Sequence, residues 1–494
     1  MIRVKIALIC TEKLPVPPIA GGAVQLYIDG IAPHLAAKHD ITIFSIQYPG
    51  LPDRETVNGI RLIRLPGGSG ANYINSLKSA LDRSFDLIHV FNRPRYVLEL
   101  MKVLPESKFS LSLHNEMFHP EKITDEEAVS CIKKVEFINT VSKYIADTVK
   151  ERFPQAADKL RVVYSGADAG MFKPSWTPEG LSDKLALKVK YKLQDHRVIL
   201  YVGRFSPKKG VHVMLNAVKK VMVKNPDTAL VVIGSKWYGS NETDDYTKEI
   251  RAIAEQLPGP VVFTGFLPPD QVCRHYSMAD VFVCASQWNE PLARVHYEAM
   301  AAGLPIITTN RGGNAEVIRN LETGIIIDDY SNADKMAEGI MYLLGNPSKC
   351  IEMGKAAREM AERQFNWKRV ASEVIPGNSG LPANAVIQNK TALVPLPDTV
   401  QKTPVQNAPE TKPSYDNFKV STEDDTKGSL KNATISADTS NSIDTMGSTN
   451  TTVSTNPVSS TDNANAQAAP APDRSRFGWK RNVRIYPDSW QHKQ

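Results

Sequence analysis

The sequence predicts an α/β protein made of two doubly wound domains, followed by a disordered tail. To about residue 370, short runs of Val, Ile and Leu alternate with helical patterns, which is typical of βαβ units and parallel sheets covered on both faces. The chain has 494 residues, which is too long for one ordinary domain. From about Pro376, Thr, Ser, Asn, Pro and Asp dominate, and such a segment cannot offset the entropy of ordering.

The predicted strands are short apolar runs that recur along both halves of the chain. Examples are residues 5–9, 41–46, 87–90, 109–113, 135–141, 198–202, 230–233, 261–264 and 281–284. A polar stretch over 176–190 shows no strand pattern and divides the halves. The predicted domains are therefore 1–178 and 179–376, with a tail over 377–494. In an open α/β sheet ligands bind at the carboxyl ends of strands, so an active site is expected in the cleft between the domains.

Two glutamates, Glu290 and Glu298, lie in the segment 286–318, which reads SQWNEPLARVHYEAMAAGLPIITTNRGGNAEVI. Proline is favoured at the first position of a helix. Pro291 therefore predicts that Glu290 lies at the start of a helix and Glu298 about two turns further along. That helix is predicted to end at Gly303-Leu304-Pro305. Carboxylates placed in this way can accept hydrogen bonds from sugar hydroxyls; the alternative is a surface helix with two solvated acids.

A pair of cations follows a predicted strand upstream. Gly203-Arg204 comes directly after residues 198–202, and Lys209-Gly210 precedes a helix rich in Val, Leu and Ala. Cations at the carboxyl end of such a strand, beside a helix start, form an expected anion site. Arg offers a bidentate fork to phosphate and Lys a mobile charge. Taken alone, such a pair is more often a solvated surface loop than an anion site.

These segments, with three others, resemble glycosyltransferase family 4, a family of retaining transferases with the two-domain GT-B fold. The resemblance covers about residues 4–370. Five matches in the family's order are far more specific than any one of them. In chain order the motifs are Ile19-Ala-Gly-Gly-Ala-Val, His114-Asn115 after an apolar strand, Val163-Tyr-Ser-Gly-Ala-Asp-Ala-Gly-Met-Phe-Lys-Pro, Gly203-Arg204 with Lys209-Gly210, and the glutamate pair.

The resemblance implies that the diphosphate of a nucleotide sugar, with a UDP-sugar as the expected donor, lies near Arg204, Lys209 and the turn at Gly21 and Gly22. The physical argument agrees, because cations aimed at the charge that grows on a leaving diphosphate are usually the largest catalytic contribution. A turn of small residues also lets backbone approach the donor closely.

By the same resemblance, Glu290 and the amides after it would hold the transferred sugar, and Glu298 the ribose hydroxyls. His114 would contact the sugar from the N-terminal domain, although a lone histidine at a strand end is otherwise more often structural. The predicted catalytic residues are Glu290, His114, Arg204 and Lys209, and the predicted donor-binding residues are Gly21, Gly22, Arg204, Lys209, Leu267, Glu290, Leu292, Ala293 and Glu298.

The sequence departs from the family where many members have Gly-Phe-Gly after the first glutamate. Here the residues are Pro291, Leu292 and Ala293, followed by Arg294. Pro291 removes a donor N–H and Ala293 adds a methyl group, but the amides of Leu292 and Ala293 are expected to remain available. The departure bears on the identity of the sugar, and Arg294 is a candidate for reading an acidic or N-acylated group.

No metal or other cofactor is expected. The sequence contains no Asp-x-Asp motif, which transferases of the other main fold use to hold a divalent metal on the diphosphate. This favours cationic side chains in that role. No covalent nucleophile is predicted either, because retaining transferases of this fold are thought to react on one face of the sugar, with the leaving phosphate assisting the acceptor.

Composition sets broad limits on partners and location. The net charge of +6 and pI near 8.8 suit a protein that handles nucleotide sugars or approaches anionic surfaces, without requiring either. No apolar run reaches the roughly 18 residues of a membrane span, and residues 1–10 read as a first strand rather than a signal peptide. Five scattered cysteines fit a reducing cytosol. The expected location is the cytoplasm, with association at a coat or inner membrane surface left open.

The end of the tail mixes basic and aromatic residues, which suggests docking to an acidic or glycan-rich partner in a coat or envelope. The alternative is a solubilised terminus without a partner. Nucleic acid is not expected, because the basic cluster is short and isolated. The residues are Arg474, Arg476, Phe477, Trp479, Lys480, Arg481, Arg484, Tyr486 and Trp490.

The predicted function is a transferase that builds coat or envelope polysaccharide. Its acceptor is an unidentified glycan, a lipid-linked molecule or a protein. Two other functions are alternatives to this prediction. One is a structural coat component that keeps the fold without turnover, against which stand the retained cation and glutamate pairs. The other is a sugar-nucleotide epimerase or a phosphorylase, which also use two facing domains. The sequence context of a pyridoxal-phosphate lysine, which a phosphorylase needs, is not found.

Overall fold

The computed structural model describes residues 3–236, 244–376 and 483–485. Within these residues two α/β domains follow one another, each built on a sheet with a hydrophobic core on either face. The prediction of two doubly wound domains is confirmed.

The N-terminal domain is built on an eight-stranded sheet. Its strands are β1 (Lys5–Ile9), β2 (Asp40–Ile46), β3 (Arg54–Val57), β4 (Ile60–Leu65), β5 (Leu87–Phe91), β6 (Phe109–Leu113), β7 (Val135–Thr140) and β8 (Leu160–Val162). Their order is β3-β4-β2-β1-β5-β6-β7-β8. The expectation of parallel sheets is wrong at one edge, where β3 and β4 are antiparallel. Asn58 and Gly59 join them with φ of 52° and 76°, the positive values that a tight hairpin turn requires.

Among the described residues up to Val162, five helices cover this sheet. They are α1 (Ala23–Ala36), α2 (Gly70–Ala80), α3 (Pro94–Met101), α4 (Asp125–Lys134) and α5 (Lys143–Arg152). Successive residues of β1 alternate between the two cores, as the two-residue period of a strand requires: Ile6 and Leu8 pack with α1, whereas Ala7 and Ile9 face the opposite core. The buried sheet places the N-termini of α1 and α5 at the carboxyl ends of the strands.

The C-terminal domain is built on a parallel sheet in the order β14-β13-β12-β9-β10-β11-β15. Its strands are β9 (Arg197–Val202), β10 (Thr228–Ile233), β11 (Val261–Gly265), β12 (Val281–Cys284), β13 (Ile306–Thr309), β14 (Gly324–Ile327) and β15 (Val483–Ile485). The remaining helices are α6 (Pro178–Tyr191), α7 (Val211–Lys224), α8 (Asp245–Ala254), α9 (Pro269–Tyr276), α10 (Val295–Ala301), α11 (Ala333–Gly345), α12 (Pro347–Gln364) and α13 (Trp367–Val374).

The polar stretch over 176–190, which reads as a break in the sequence, is mostly helix α6. Thr177 caps this helix, because its hydroxyl accepts a hydrogen bond of 3.1 Å from the amide of Gly180. Pro178 occupies the first helical turn, where a missing N–H costs nothing. In chain order this helix lies between the last strand of the first sheet and the first strand of the second.

The last described helix, α13, returns to the N-terminal domain. Val370 and Val374 are buried in the core that α1 shares with β1 and β2. The side-chain amide of Asn139 donates a 2.8 Å hydrogen bond to the carbonyl of Val374. Phe365, whose spacing suggests that it joins this contact, packs instead in the C-terminal domain, with its ring 5.0 Å from that of Tyr297. The chain therefore crosses between the domains directly after Phe365.

Most of the predicted tail lies outside the described residues. The exception is β15, which pairs in parallel with β11 over Val261–Phe263, so these three residues depart from the prediction of a disordered tail. The basic and aromatic side chains proposed for docking are not described. Among the residues that are, no helix is long and apolar enough to cross a membrane.

Candidate active site

A cleft of about 1130 Å³ lies between the two domains, at the carboxyl ends of β1, β5 and β6 on one side and of β9, β10 and β12 on the other. This is where ligands bind in open α/β sheets. All of the residues predicted for donor binding or catalysis line this cleft: Gly21, Gly22, His114, Arg204, Lys209, Leu267, Glu290, Leu292, Ala293 and Glu298.

The carboxylate of Glu290 lies at the centre of a hydrogen-bond network. Lys209 Nζ lies 2.8 Å from each of its two oxygens. The indole N–H of Trp288 donates to Oε2 at 2.7 Å, and the hydroxyl of Ser286 donates to the same oxygen at 3.1 Å. Only 7% of Glu290 is exposed. Burial raises the pKa of Glu290, but the charge of Lys209 and these hydrogen bonds outweigh burial and hold the pKa below its usual value.

The prediction that Glu290 lies at the start of a helix is wrong. Helix α10 begins at Val295 and places Glu298 in its first turn. The residues from Glu290 to Arg294 form a loop. The segment at Gly313 fixes this loop, because the amide of Gly313 donates to the carbonyl of Glu290 at 2.8 Å. Gly312 is required there, because a Cβ atom would lie 2.2 Å from that same carbonyl oxygen.

The amide of Ala293 is also placed differently from the expectation. It donates a 3.0 Å hydrogen bond to Oδ1 of Asn314, so it is not available to a sugar. Asn314 is fully buried. Its side-chain amide thus fixes the loop before α10, and the Gly-Gly-Asn sequence that follows Arg311 serves to shape the Glu290 loop.

The two predicted cations come from one connection between β9 and α7. Arg204 directly follows the turn after β9, and the hydroxyl of Tyr201 donates to its carbonyl at 3.3 Å. Lys209 ends a short 3₁₀ turn, and Gly210 then begins α7 with φ of 68°. Both side chains line the cleft. The connection therefore brings two positive charges to the N-terminal end of a helix, where the backbone amides also favour an anion.

Glu298 is held by its neighbours in the same domain. The hydroxyl of Tyr276 donates to Oε2 at 2.9 Å, and Nη2 of Arg294 lies 3.6 Å from Oε1. The guanidinium of Arg294 also lies 5.3 Å from the ring centre of Trp367 and donates to the hydroxyl of Ser165 at 3.3 Å. Arg294, considered from the sequence as a reader of the donor sugar, therefore binds Glu298 and the chain that joins the domains.

The N-terminal domain contributes His114, which follows β6. Its backbone N–H donates to Oδ1 of Asn92 at 3.1 Å, and its ring meets that of Tyr27 edge-on at 4.7 Å. Burial, with a smaller effect of Arg294, lowers the pKa of His114 to about 3, so the ring is neutral at physiological pH. Within the described residues its buried Nε2 has no hydrogen-bond partner. The ring can thus exchange a hydrogen bond with a hydroxyl that enters the cleft.

Gly21 and Gly22 form the turn before α1, as the sequence predicts. The side chain of Gln25, in the first turn of α1, fixes this turn from inside by donating to Oγ1 of Thr11 at 3.1 Å and to the carbonyl of Leu14 at 3.2 Å. The N-terminal end of α1 is thereby held at the cleft, opposite the cations of the other domain.

His89, Cys10 and Cys284 are buried near the cleft. Both ring nitrogens of His89 lie 2.7 Å from serine hydroxyls on β6, and burial lowers its pKa to about 3. Cys10 is buried, and burial raises its pKa to about 12. Cys284 is buried beside His296. In residues 3–236, 244–376 and 483–485, no group of three His, Cys, Asp or Glu residues could hold a metal ion.

Sequence reasoning missed Ser286 and Trp288 as partners of Glu290, and Asn314 as the residue that shapes its loop. All three lie within the motif that carries the glutamates. The residue types offered a clue, because each of these side chains can donate or accept a hydrogen bond. The direction in which each side chain points depends on a loop whose path the sequence does not specify.

Both halves of the chain match family models for glycosyltransferases. Residues 20–170 match Glycosyltransferase Family 4, and residues 183–360 match Glycosyl transferases group 1. Together with the cleft between two parallel-sheet domains, these matches define a glycosyltransferase of the GT-B fold. The chain belongs to glycosyltransferase family 4.

Individual relatives agree with this assignment. The chain is 46% identical over 372 residues to spore coat protein SA of Bacillus subtilis (strain 168), which covers 75% of this chain and 98% of that protein. It is 43% identical over 394 residues to a putative glycosyltransferase, YtcC, of the same organism, with 78% and 96% covered.

Solved structures share the fold. Sucrose-phosphate synthase from Thermosynechococcus elongatus superposes with a TM-score of 0.61 at 23% identity, covering 75% of this chain and 96% of that chain. Anabaena Alr3699/HepE in complex with UDP-glucose superposes with a TM-score of 0.60 at 19% identity, covering 75% and 98%.

Proposed function

We propose that this protein is a retaining hexosyltransferase that moves a sugar from a UDP-sugar to an acceptor used in spore coat or cell-envelope polysaccharide. The observation that carries the proposal is the pairing of Lys209 with Glu290 in the cleft that Arg204 also lines. This arrangement sets one cation against a buried carboxylate and a second cation in the same cleft, which suits a substrate that joins a diphosphate to a sugar.

The diphosphate would lie against Arg204 and Lys209. An ammonium group has three N–H donors, and two of those on Lys209 are directed at Glu290. Within the described residues the third has no partner and would bond a phosphate oxygen, so one lysine would hold the sugar-binding carboxylate and the leaving group together. The backbone at the Gly21–Gly22 turn, at the N-terminal end of α1, supplies amide dipoles from the opposite side.

The sugar and the ribose would occupy the two sides of this phosphate position. Glu290 accepts hydrogen bonds from the hydroxyls of the sugar, and His114 contacts the same sugar from the N-terminal domain. Glu298, oriented by Tyr276, accepts from the ribose hydroxyls. Support for UDP as the nucleotide comes from the fold neighbour HepE, whose structure contains UDP-glucose.

Transfer would take place on one face of the sugar. The bond between the anomeric carbon and the phosphate oxygen breaks, and the acceptor oxygen forms its bond to the same face of that carbon. The proton of the acceptor hydroxyl passes to the leaving phosphate oxygen. Arg204 and Lys209 stabilise the negative charge that grows on the diphosphate, and their fixed positions mean that little reorganisation is needed.

No divalent metal is included in this proposal. Two cations and the amides of a helix N-terminus already face the position of the diphosphate, and the sequence lacks the Asp-x-Asp motif. We place the enzyme in the cytoplasm, with the end of the tail as an anchor to a coat or envelope surface. The acceptor is a glycan, a lipid-linked sugar or a protein, and no nucleic acid takes part.

The second candidate is a structural spore coat component with reduced or no turnover. The identity of 46% to a protein named as a spore coat protein favours it. Against it, a structural protein has no need for Lys209 and Glu290 to remain paired in an open cleft, where a buried carboxylate costs stability unless it is compensated.

The experiment that separates these functions is a screen of nucleotide sugars for release of the nucleotide by the purified full-length protein. We expect release from a UDP-sugar, reduced at least tenfold in Lys209→Ala. Lys219→Ala is the matched control, because Lys219 is a half-buried lysine on α7, outside the cleft, that bonds only Gln256 among the contacts described for its side chain. Binding of UDP without release from any sugar nucleotide would favour the structural component.

A further inference from the structure

Glu316 belongs to the C-terminal domain but binds the N-terminal domain. It lies in a short 3₁₀ turn over Asn314–Val317. Its Oε2 accepts a 2.7 Å hydrogen bond from the amide of Lys143, and its Oε1 accepts one of 2.7 Å from the amide of Tyr144. The hydroxyl of Tyr164 donates to Oε2 at 2.9 Å. The carboxylate thus joins the C-terminal domain to the start of α5 in the N-terminal domain.

The two amides are those that helix α5 leaves without a partner of its own. The first amides of any helix have no acceptor within the helix. In α5 the cap residue Ser142 accepts from the amide of Ile145 at 3.2 Å, which leaves the two preceding amides free for Glu316. A carboxylate at a helix N-terminus is also favoured by the helix dipole. The contact is therefore complementary in geometry and in charge.

The segment that carries Glu316 also fixes the loop of Glu290. The amide of Gly313 donates to the carbonyl of Glu290, and Asn314 accepts from the amide of Ala293. A Cβ atom on Gly313 would lie 2.3 Å from the carbonyl oxygen of Pro291 and 2.7 Å from Cβ of Ser142. One short segment therefore touches the sugar-binding loop on one side and the start of α5 on the other.

We infer that Glu316 is a positioning residue, which ties closure of the two domains to the placement of the Glu290 loop. This inference rests on the proposed function for its consequence in turnover, but not for the bridge itself. When the domains are closed, the bridge holds the Glu290 loop at the distance from His114 that a bound sugar needs. When it is lost, the donor still binds, since Arg204, Lys209 and Glu298 all belong to the C-terminal domain, but the sugar is no longer held from both sides.

The test combines kinetics with solution scattering of the full-length protein. Glu316→Gln replaces the two carboxylate oxygens by one amide oxygen and one NH2 group, which cannot accept a hydrogen bond. In this variant we expect kcat to fall roughly 10- to 100-fold, because small displacements of reacting groups have effects of that size. The dissociation constant for UDP, measured by calorimetry, is expected to change less than about threefold. Small-angle scattering of the ligand-free variant is expected to show a larger radius of gyration than that of the wild type.

Two controls separate positioning from general stability. Ser142→Ala removes the cap of α5 but keeps the Cβ atom that contacts Gly313, so it should lower the melting temperature without changing the scattering profile. Glu322→Gln removes a nearby exposed carboxylate that pairs with Arg319. It should change neither the melting temperature nor the scattering profile. The inference is overturned if Glu316→Gln leaves scattering and kcat unchanged, or if it behaves like Ser142→Ala in every measurement. If the wild type shows no turnover, the proposed function fails, while scattering still decides whether the bridge exists.

Discussion

Lys209 and Glu290 come from connections that follow two neighbouring strands, β9 and β12, and their charged atoms meet at 2.8 Å. The side chains are 20% and 9% exposed. A pair this well covered is stabilising only while both members are present, because one buried charge without the other is costly. The pair therefore links the stability of the C-terminal domain to the chemistry of the cleft.

Replacing Lys209 by Met should destabilise the protein by about 2 kcal/mol, the scale of hydrogen bonds to a charged group. Glu290 would keep its bonds from Trp288 and Ser286 but lose the charge that balances it. Urea unfolding measures the change. The double variant Lys209→Met with Glu290→Gln should recover most of the lost stability without recovering turnover, because no charge is then left buried. A double variant as unstable as Lys209→Met would contradict this explanation.

The contribution of Glu290 to stability should depend on pH. Its pKa in the folded protein is below the ordinary value of 4.5, so folding favours the charged form. The stabilisation is therefore fully present above about pH 5 and is lost as the pH falls through the folded pKa. The measurement is the free energy of unfolding of the wild type and of Glu290→Gln at pH 7 and at pH 3.5. The two proteins should differ more at pH 7, and an equal difference at both values would show that the pKa is not lowered.

Substitution of Glu290 and substitution of Glu298 should have different effects on kcat and on donor affinity. Glu290→Gln should reduce kcat more than donor affinity, because the carboxylate acts most strongly when charge develops on the sugar. Glu298→Gln should raise the dissociation constant of UDP, because ribose binding is the same in the ground state and the transition state. Each effect should be about 1–3 kcal/mol. Tyr276→Phe, which removes the hydroxyl that orients Glu298, should reproduce a part of the affinity loss and leave kcat in place.

Deleting the tail from residue 378 onward should leave the fold and the transferase activity largely intact. The cut keeps α13, whose Val370 and Val374 are buried in the N-terminal domain. It removes β15, which adds three residues to the edge of the C-terminal sheet, and the cost should be below about 1 kcal/mol, since a few edge hydrogen bonds are offset by the entropy of a long connection.

Melting temperature and localisation of the truncated protein check this prediction. A large fall in melting temperature would mean that the tail packs on the body of the protein. Unchanged localisation would remove the proposal that the end of the tail anchors the enzyme.

The strands could be predicted from the sequence because they are buried on both faces and form continuous apolar runs. The run over 109–113, for example, coincides with β6. The hairpin of β3 and β4 was missed, because Arg54–Val57 is mostly exposed and has no apolar run. Its turn residues, Asn58 and Gly59, did carry a hairpin signal.

The types of the site residues could be predicted, but their orientation could not. Pro291 suggested a helix start at Glu290, because local preference is all that the sequence shows at that point. In the folded protein Gly313 and Asn314, more than twenty residues downstream, bind the backbone of the loop, and the helix begins only at Val295. Contacts of this range depend on how β12 and β13 pair, which no local pattern specifies. The bridge of Glu316 to α5 was missed for the same reason.

We expect Arg204 and Lys209 to hold a nucleotide diphosphate in the cleft without a metal. Isothermal titration of UDP into the full-length protein, with and without excess chelator, tests it most directly when it is repeated on Arg204→Ala and on the control Lys219→Ala. We expect UDP binding to be unchanged by the chelator, to be at least tenfold weaker in Arg204→Ala, and to be the same in Lys219→Ala as in the wild type. Binding that disappears with the chelator, or that is the same in Arg204→Ala as in the wild type, would contradict it.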